Sequence, residues 1–226
     1  MWWILVKGGP VMIPIIIGSI IGLAIIMEKI WHLWSIRLDV DSFRERFYSL
    51  LKRGDIDSAL KLCDEKPKAP LAKVLKVGIE KRHLPIHEVE KALERIGNSQ
   101  IKRLEEYIGG LISIIGIEPL LGFLGTITGL IRAFMAWERA GSAITVSVLA
   151  QGIYEAMITT AAGLTIAVPY YLICNYLISR IKYISYELSD SSMELVEVLS
   201  EMNRAPQQIR EPEHAASGTG LLEGTL

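Results

Sequence analysis

Three blocks of this chain are too long and too apolar to be helices of a soluble core. Residues 11–27 form a run of 17 with no charged side chain. Residues 107–131 carry Glu118 alone, and residues 140–179 are forty residues in which Glu155 is the only formal charge. A helix needs about 20 mostly apolar residues to cross about 30 Å of hydrocarbon. The expected fold is therefore an all-α integral membrane protein with three transmembrane helices. The third block exceeds one span, so a short loop is expected at its start. Hydrophobic residues make up 50% of the 226, the formal charge is −1 and the mean hydropathy is +0.34. Such a charge gives no support to nucleic-acid binding.

The expected layout is a short N-terminus on the outer side (1–10), a first span with its interface (11–34) and a cytoplasmic helical segment (35–108). A second span (109–137), a loop on the outer side (138–147) and a third span (148–178) follow, then a cytoplasmic helix (179–202) and a disordered tail (203–226). Orientation rests on the Lys/Arg bias. Only Lys7 precedes the first span, whereas residues 35–106 hold 16 Lys/Arg against 13 Asp/Glu. Arg180 and Lys182 close the third span on the same side; Arg132 and Arg139, near the outer end of the second, oppose the rule weakly. No basic stretch precedes the first block and Trp31 follows it, so it reads as an anchor rather than a cleaved leader. Cys63 and Cys174 fall in different compartments, so no disulfide is expected.

The segment between the first two spans reads as helical. Phe43, Phe47, Leu50 and Leu51 share a face, and Gly54 suits the left-handed position after that helix. Ile56, Ala59, Leu60 and Cys63 mark a second short helix that Pro67 and Pro70 should end. A third runs through 71–81. Pro85 fits the first turn of a fourth, with Val89, Leu93, Ile96 and Leu104 on its apolar face. Nothing between Glu88 and Ile117 forces a stop except Gly109-Gly110, so this helix is able to continue into the second span.

Few residues offer chemistry. His83 and His87 are separated by Pro85 and lack a completing carboxylate or thiol, so no metal site is expected. No cofactor motif, phosphate loop or Ser/His/Asp set is present, and the chain does not read as an enzyme. Gly18 with Gly22, and Gly125 with Gly129, match the small-xxx-small pattern of closely packed membrane helices. Gly122 and Gly163 are further packing positions. Glu155 is the unusual residue, because a carboxylate at depth is costly unless it faces protein, water or a proton. Thr159 follows it on the same face at about 40°, while Thr160 lies about 140° away. Thr126 and Thr160 fall near mid-depth of their spans. Helix packing alone would also explain the glycines, and a structural hydrogen bond would explain Glu155.

The stretches PLLGFLGTITGLIRAF (119–134) and GIYEAMITTAAGLTIAVPYYLICNY (152–176) together resemble the paired signature of the MotA/TolQ/ExbB proton channel family. Three spans and a large segment after the first resemble its ExbB/TolQ branch more than the four-span flagellar branch. The resemblance is strong over residues 108–178. It implies a homopentamer around a central pore, with long cytoplasmic helical extensions. The pore would hold the membrane helices of two copies of an ExbD/TolR-like single-span partner, whose aspartate completes a proton path. A TonB/TolA-like protein would receive the energy of the proton motive force, in a bacterial inner membrane with the N-terminus periplasmic and the C-terminus cytoplasmic. The family's ion-path positions correspond here to Thr126, Glu155 and Thr160, whereas helical geometry favours Thr159 beside Glu155. Glu118 matches no motif position; it is expected near the cytoplasmic mouth. The rival readings are a flagellar-type, MotA-like stator subunit and a structural scaffold without ion conduction. A secondary transporter is disfavoured by too few spans and no internal repeat.

Overall fold

The structure is a computed structural model that describes residues 8–36, 38–140 and 146–204. These residues form seven α-helices: α1 Met12–Ser35, α2 Val40–Lys52, α3 Ile56–Asp64, α4 Pro70–Glu80, α5 Ile86–Glu105, α6 Ile108–Ala140 and α7 Val146–Arg204. Three helices among the described residues are long and apolar enough to cross a membrane. The chain is a multi-pass membrane protein. It divides into two compact units, Met1–Ser35 with Lys102–Lys182, and Ile36–Ile101 with Tyr183–Leu226.

The first unit is built from α1, α6 and the first part of α7. On α1 the buried positions Met12, Ile15, Gly22, Ile26 and Lys29 recur every three to seven residues along one stripe, while Ile13, Ile17, Ile20, Leu23 and Met27 are exposed. Helices apolar on every side suit a medium of lipid and neighbouring protein, not water. Pro119 and Pro169 lie inside α6 and α7. Each removes one backbone donor, a loss that membrane helices tolerate where neighbouring groups satisfy the freed carbonyl.

Two boundaries differ from those expected. The break before α6 sits at Tyr107, whose φ of 63° is left-handed, and Gly109-Gly110 are helical. Left-handed backbone costs a residue with a side chain about 1 kcal/mol. The ring of Tyr107 is held by the ammonium of buried Lys29, 5.5 Å from its centroid, a contact of comparable size. The span expected at 148–178 and the helix expected at 179–202 are one uninterrupted helix, α7. No glycine or proline falls between Pro169 and Arg204 to end it. Helix also covers 138–140 and 146–147 of the expected loop, and 203–204 of the expected tail. Residues 1–7, 141–145 and 205–226, which hold the rest of the N-terminus, loop and tail, lie outside the described residues.

The second unit has a conventional core. Phe43, Phe47 and Leu51 of α2 pack with Ala59, Leu62 and Cys63 of α3, Val74, Leu75 and Ile79 of α4, Val89 and Leu93 of α5, and Leu188, Leu195 and Leu199 of α7. The helices start and stop where local chemistry requires. Asp39 accepts from the Ser42 backbone N–H, and Asp55 accepts from that of Ser58 at 3.1 Å, both N-cap bonds. Gly54 carries φ 76° after α2. Pro70 opens α4 rather than closing α3, because its missing N–H would be unpaired in a first turn anyway. Arg44 reaches Glu187 at 3.4 Å, Asp190 at 2.7 Å and Glu194 at 2.6 Å. This carboxylate cluster holds its guanidinium in the charged form, chiefly through Glu194. Tyr48 donates to the Ser191 carbonyl at 2.7 Å.

Burial in this core pushes the Cys63 thiol from 9.0 up to about 12. The raised value favours the neutral thiol, so its contribution to stability is complete below pH 9.0 and is lost between 9.0 and about 12. Alkylation proceeds through the thiolate. At pH 8, native Cys63 should therefore react about a thousandfold more slowly than in the denatured chain, as read by mass spectrometry of that peptide. Native labelling at the denatured rate would contradict this packing.

Candidate functional site

The site is the antiparallel seam where α6 meets α7. Side-chain-free positions alternate along it. A Cβ on Gly122 would lie 3.0 Å from the Thr160 Cα and 3.1 Å from the Thr159 carbonyl oxygen. One on Gly129 would lie 2.9 Å from the Ala156 Cβ, and one on Gly163 would lie 2.6 Å from the Glu118 carbonyl oxygen. Gly125 faces the Thr159 side chain, and Gly152, which the sequence reading did not single out, faces Ala133. The expected packing glycines Gly122, Gly125, Gly129 and Gly163 thus all lie on one line of close contact. Without Cβ atoms the two backbones approach closely, as membrane helices with small interfacial residues do.

That approach brings two threonines together. The hydroxyls of Thr126 and Thr160 are hydrogen-bonded to each other. Thr160 Oγ1 also donates to the Gly122 carbonyl at 2.9 Å, while Thr126 Oγ1 lies 3.4 Å from the carbonyl oxygens of Gly122 and Ala156. A hydroxyl both donates and accepts, so the pair forms a short chain of donors and acceptors across the seam. Thr159 behaves differently. It is 1% exposed and donates back to Ala156 of its own helix at 2.8 Å. Both Thr126 and Thr160 are only partly buried.

Glu155 has a partner that the sequence reading missed. Its Oε1 accepts from Arg132 Nη1 at 2.7 Å, with 24% of the Glu155 side chain and 47% of the Arg132 side chain exposed. The turn before α1 closes over this pair. Gly9, at φ 69°, leaves no room for a Cβ beside Glu155 Oε1, and one there would stand 3.3 Å from Arg132 Nη1. Arg132 entered the sequence reading only as a charge against the orientation rule. The separation of 23 residues across a helix pair hid its role. Glu118 is 1% exposed. Tyr170 donates to the Ser19 carbonyl at 2.7 Å, tying α7 to α1.

Residues 66–190 match the MotA/TolQ/ExbB proton channel family, a region that contains the whole seam. The chain belongs to that family. An ExbB-like biopolymer transport protein of Synechocystis sp. is 32% identical over 175 residues, covering 76% of this chain and 68% of the relative. The Tol-Pal system protein TolQ of Haemophilus influenzae is 33% identical over 109 residues, 48% of this chain and 47% of TolQ. The biopolymer transport protein ExbB of Neisseria gonorrhoeae is 25% identical, covering 80% of this chain and 90% of the relative. These relatives carry ExbB and TolQ names, so the chain falls in the ExbB/TolQ branch of the MotA/TolQ/ExbB family.

The seam makes a direct prediction about packing. Gly163→Ala places a methyl group against the backbone of Glu118, and overpacking of this kind costs about 1–3 kcal/mol. Nothing lies within 4 Å of a Cβ on Gly116 of the same unit. Gly116→Ala should therefore leave thermal unfolding in detergent unchanged or raise the midpoint slightly, while Gly163→Ala lowers it. Equal effects would mean that the glycines do not set the approach.

Proposed function

We propose that this chain is the proton-conducting subunit of an inner-membrane energy-transducing complex. It assembles as a homopentamer whose central pore takes the membrane helices of two copies of an ExbD/TolR-like partner. The residues after the first span form cytoplasmic helical extensions, with the N-terminus periplasmic and the C-terminus cytoplasmic. Proton flow down the proton motive force is passed through the partner to a TonB/TolA-like protein that works on the outer membrane or envelope. Family membership supports the class of machine. The observation that carries the local mechanism is the Thr126–Thr160 hydroxyl pair, still partly exposed at the rim of an otherwise apolar seam.

A hydroxyl pair at that rim can order water or accept a hydrogen bond from a partner carboxyl as it protonates, which hydrocarbon cannot. Thr159 has its hydroxyl spent on its own helix and is sealed from the rim, which supports Thr160 over Thr159 as the path residue. Glu155 takes part as an ion-paired group. Its bond to Arg132 fixes the end of the seam and sets the electrostatics of the path above the threonines. The chain offers few ionisable groups across the bilayer, which is consistent with a partner that supplies the missing acid.

One observation favours a pure scaffold: the threonine hydroxyls are already satisfied by each other and by Gly122. Valine substitution separates the two readings. Thr126→Val and Thr160→Val keep the shape and lose the hydroxyl, at a stability cost of about 0.5–2 kcal/mol. Both variants should express, assemble with the partner and lose energy transduction, measured as partner-dependent uptake or envelope integrity in cells. Thr159→Val should retain function. Full activity of all three variants would mean that the polar path lies elsewhere and that these threonines only pack helices, and loss confined to Thr159→Val would move the path to the other face.

A further inference from the structure

Glu118 stands apart from every group used so far. It is 1% exposed, and among the described residues neither carboxyl oxygen has a hydrogen-bond partner. One oxygen points at Gly18 of α1, where a Cβ would collide with it, and the backbone carbonyl of the same residue abuts Gly163 of α7. Gly18 thus makes room for the acid itself, and Gly163 for the backbone that carries it. No charge faces it. On α1 the nearest charged residues are Glu28 and Lys29, on α6 Arg132 lies beyond the threonine pair, and α7 carries none between Glu155 and Arg180. The titratable phenol of Tyr170 is occupied by Ser19. An ionised carboxylate with no donor in such a place is costly, whereas the neutral acid leaves only an uncharged polar group unpaired, at a much smaller cost.

We propose that Glu118 is a proton-binding site of the membrane unit, held as the neutral acid while Gly18 of α1 covers it. This rests on the proposed path through Thr126 and Thr160. Glu118 lies two turns before Thr126 on α6, about 12 Å along the axis at 1.5 Å per residue. Between them the seam is lined by Gly122 and Gly163, whose only polar atoms are backbone groups. Separation of α1 from α6 at Gly18 admits water. The acid's O–H bond then breaks, the proton passes to that water, and the carboxylate is reprotonated from the threonine side. One proton enters for each that leaves. The path thereby gains a carrier of this chain's own between the threonines and the first residues of α6.

The test uses the full chain reconstituted in liposomes with its single-span partner, with an internal dye reporting proton entry under an imposed potential. Glu118→Gln keeps shape and hydrogen-bonding capacity but has no proton to release. It should assemble normally and lower flux about a hundredfold, the scale of losing a positioned proton carrier. Glu118→Asp, which can still titrate, should recover part of the flux. Infrared spectra of the wild-type complex should contain a protonated-carboxyl C=O band that Glu118→Gln lacks, a signature that a packing role alone does not produce. Should Glu118→Gln fail to assemble, the Asp variant and the wild-type infrared band decide. Normal flux in Glu118→Gln, while Thr126→Val blocks it, overturns this inference and leaves the proposed function standing. Normal flux in both overturns the path itself. A Glu118 that absorbs only as carboxylate overturns the neutral-acid assignment.

Discussion

In lipid, two apolar helices gain nothing from hiding from water, so what brings α6 and α7 together is close fit. The fit depends on atoms that are missing. At Gly122, Gly129 and Gly163 the opposing α7 or α6 backbone stands where a Cβ would be. A single methyl at Gly163 meets the Glu118 carbonyl at 2.6 Å, and backbone cannot yield as a flexible side chain can. The Thr126–Thr160 bond follows from this approach, because two short side chains on separate helices meet only when the helices nearly touch. The hydroxyl contact in this membrane unit is thus a consequence of glycine placement.

Lys29, Glu155 and Glu118 of this unit are handled in three ways. Lys29 is held by Glu28 and the Tyr107 ring. Glu155 is neutralised by Arg132 under the Gly9 turn. Glu118 is buried, and among the described residues neither of its carboxyl oxygens has a hydrogen-bond partner, the observation on which its proposed neutral form rests. The second unit, by contrast, spends Arg44 on three carboxylates at its surface, where solvent moderates the gain.

Much of this was readable in the sequence, for reasons that also define what was not. Apolar block length exposed the three spans, and helical period exposed Phe43, Phe47 and Leu51 as core. Gly54 announced its own left-handed turn. Helical angles set Thr159 and Thr160 apart around α7, but could not say which hydroxyl reaches across to a group of α6. That is a question of inter-helix geometry, answered here by the Gly122 carbonyl beneath Thr160. Arg132 with Glu155, and Gly18 with Glu118, are pairs distant in sequence, and composition carries no trace of them. The break at Tyr107 was not foreseen, because glycine is the usual residue for left-handed backbone and Gly109-Gly110 was the only stop in view; a cation over the ring cannot be foreseen from one strand of sequence. The uninterrupted α7 was divided because hydropathy changes near Arg180 while helix propensity does not.

The central claim is that this chain conducts protons only as part of a complex, its own polar seam being one wall of the path. The most direct measurement is proton entry into liposomes containing the purified chain, with and without its single-span membrane partner, under an imposed potential. The account predicts acidification that requires both proteins and that neither produces alone. A fully assembled complex that leaves the internal pH unchanged, or a chain that conducts equally well without the partner, would contradict it.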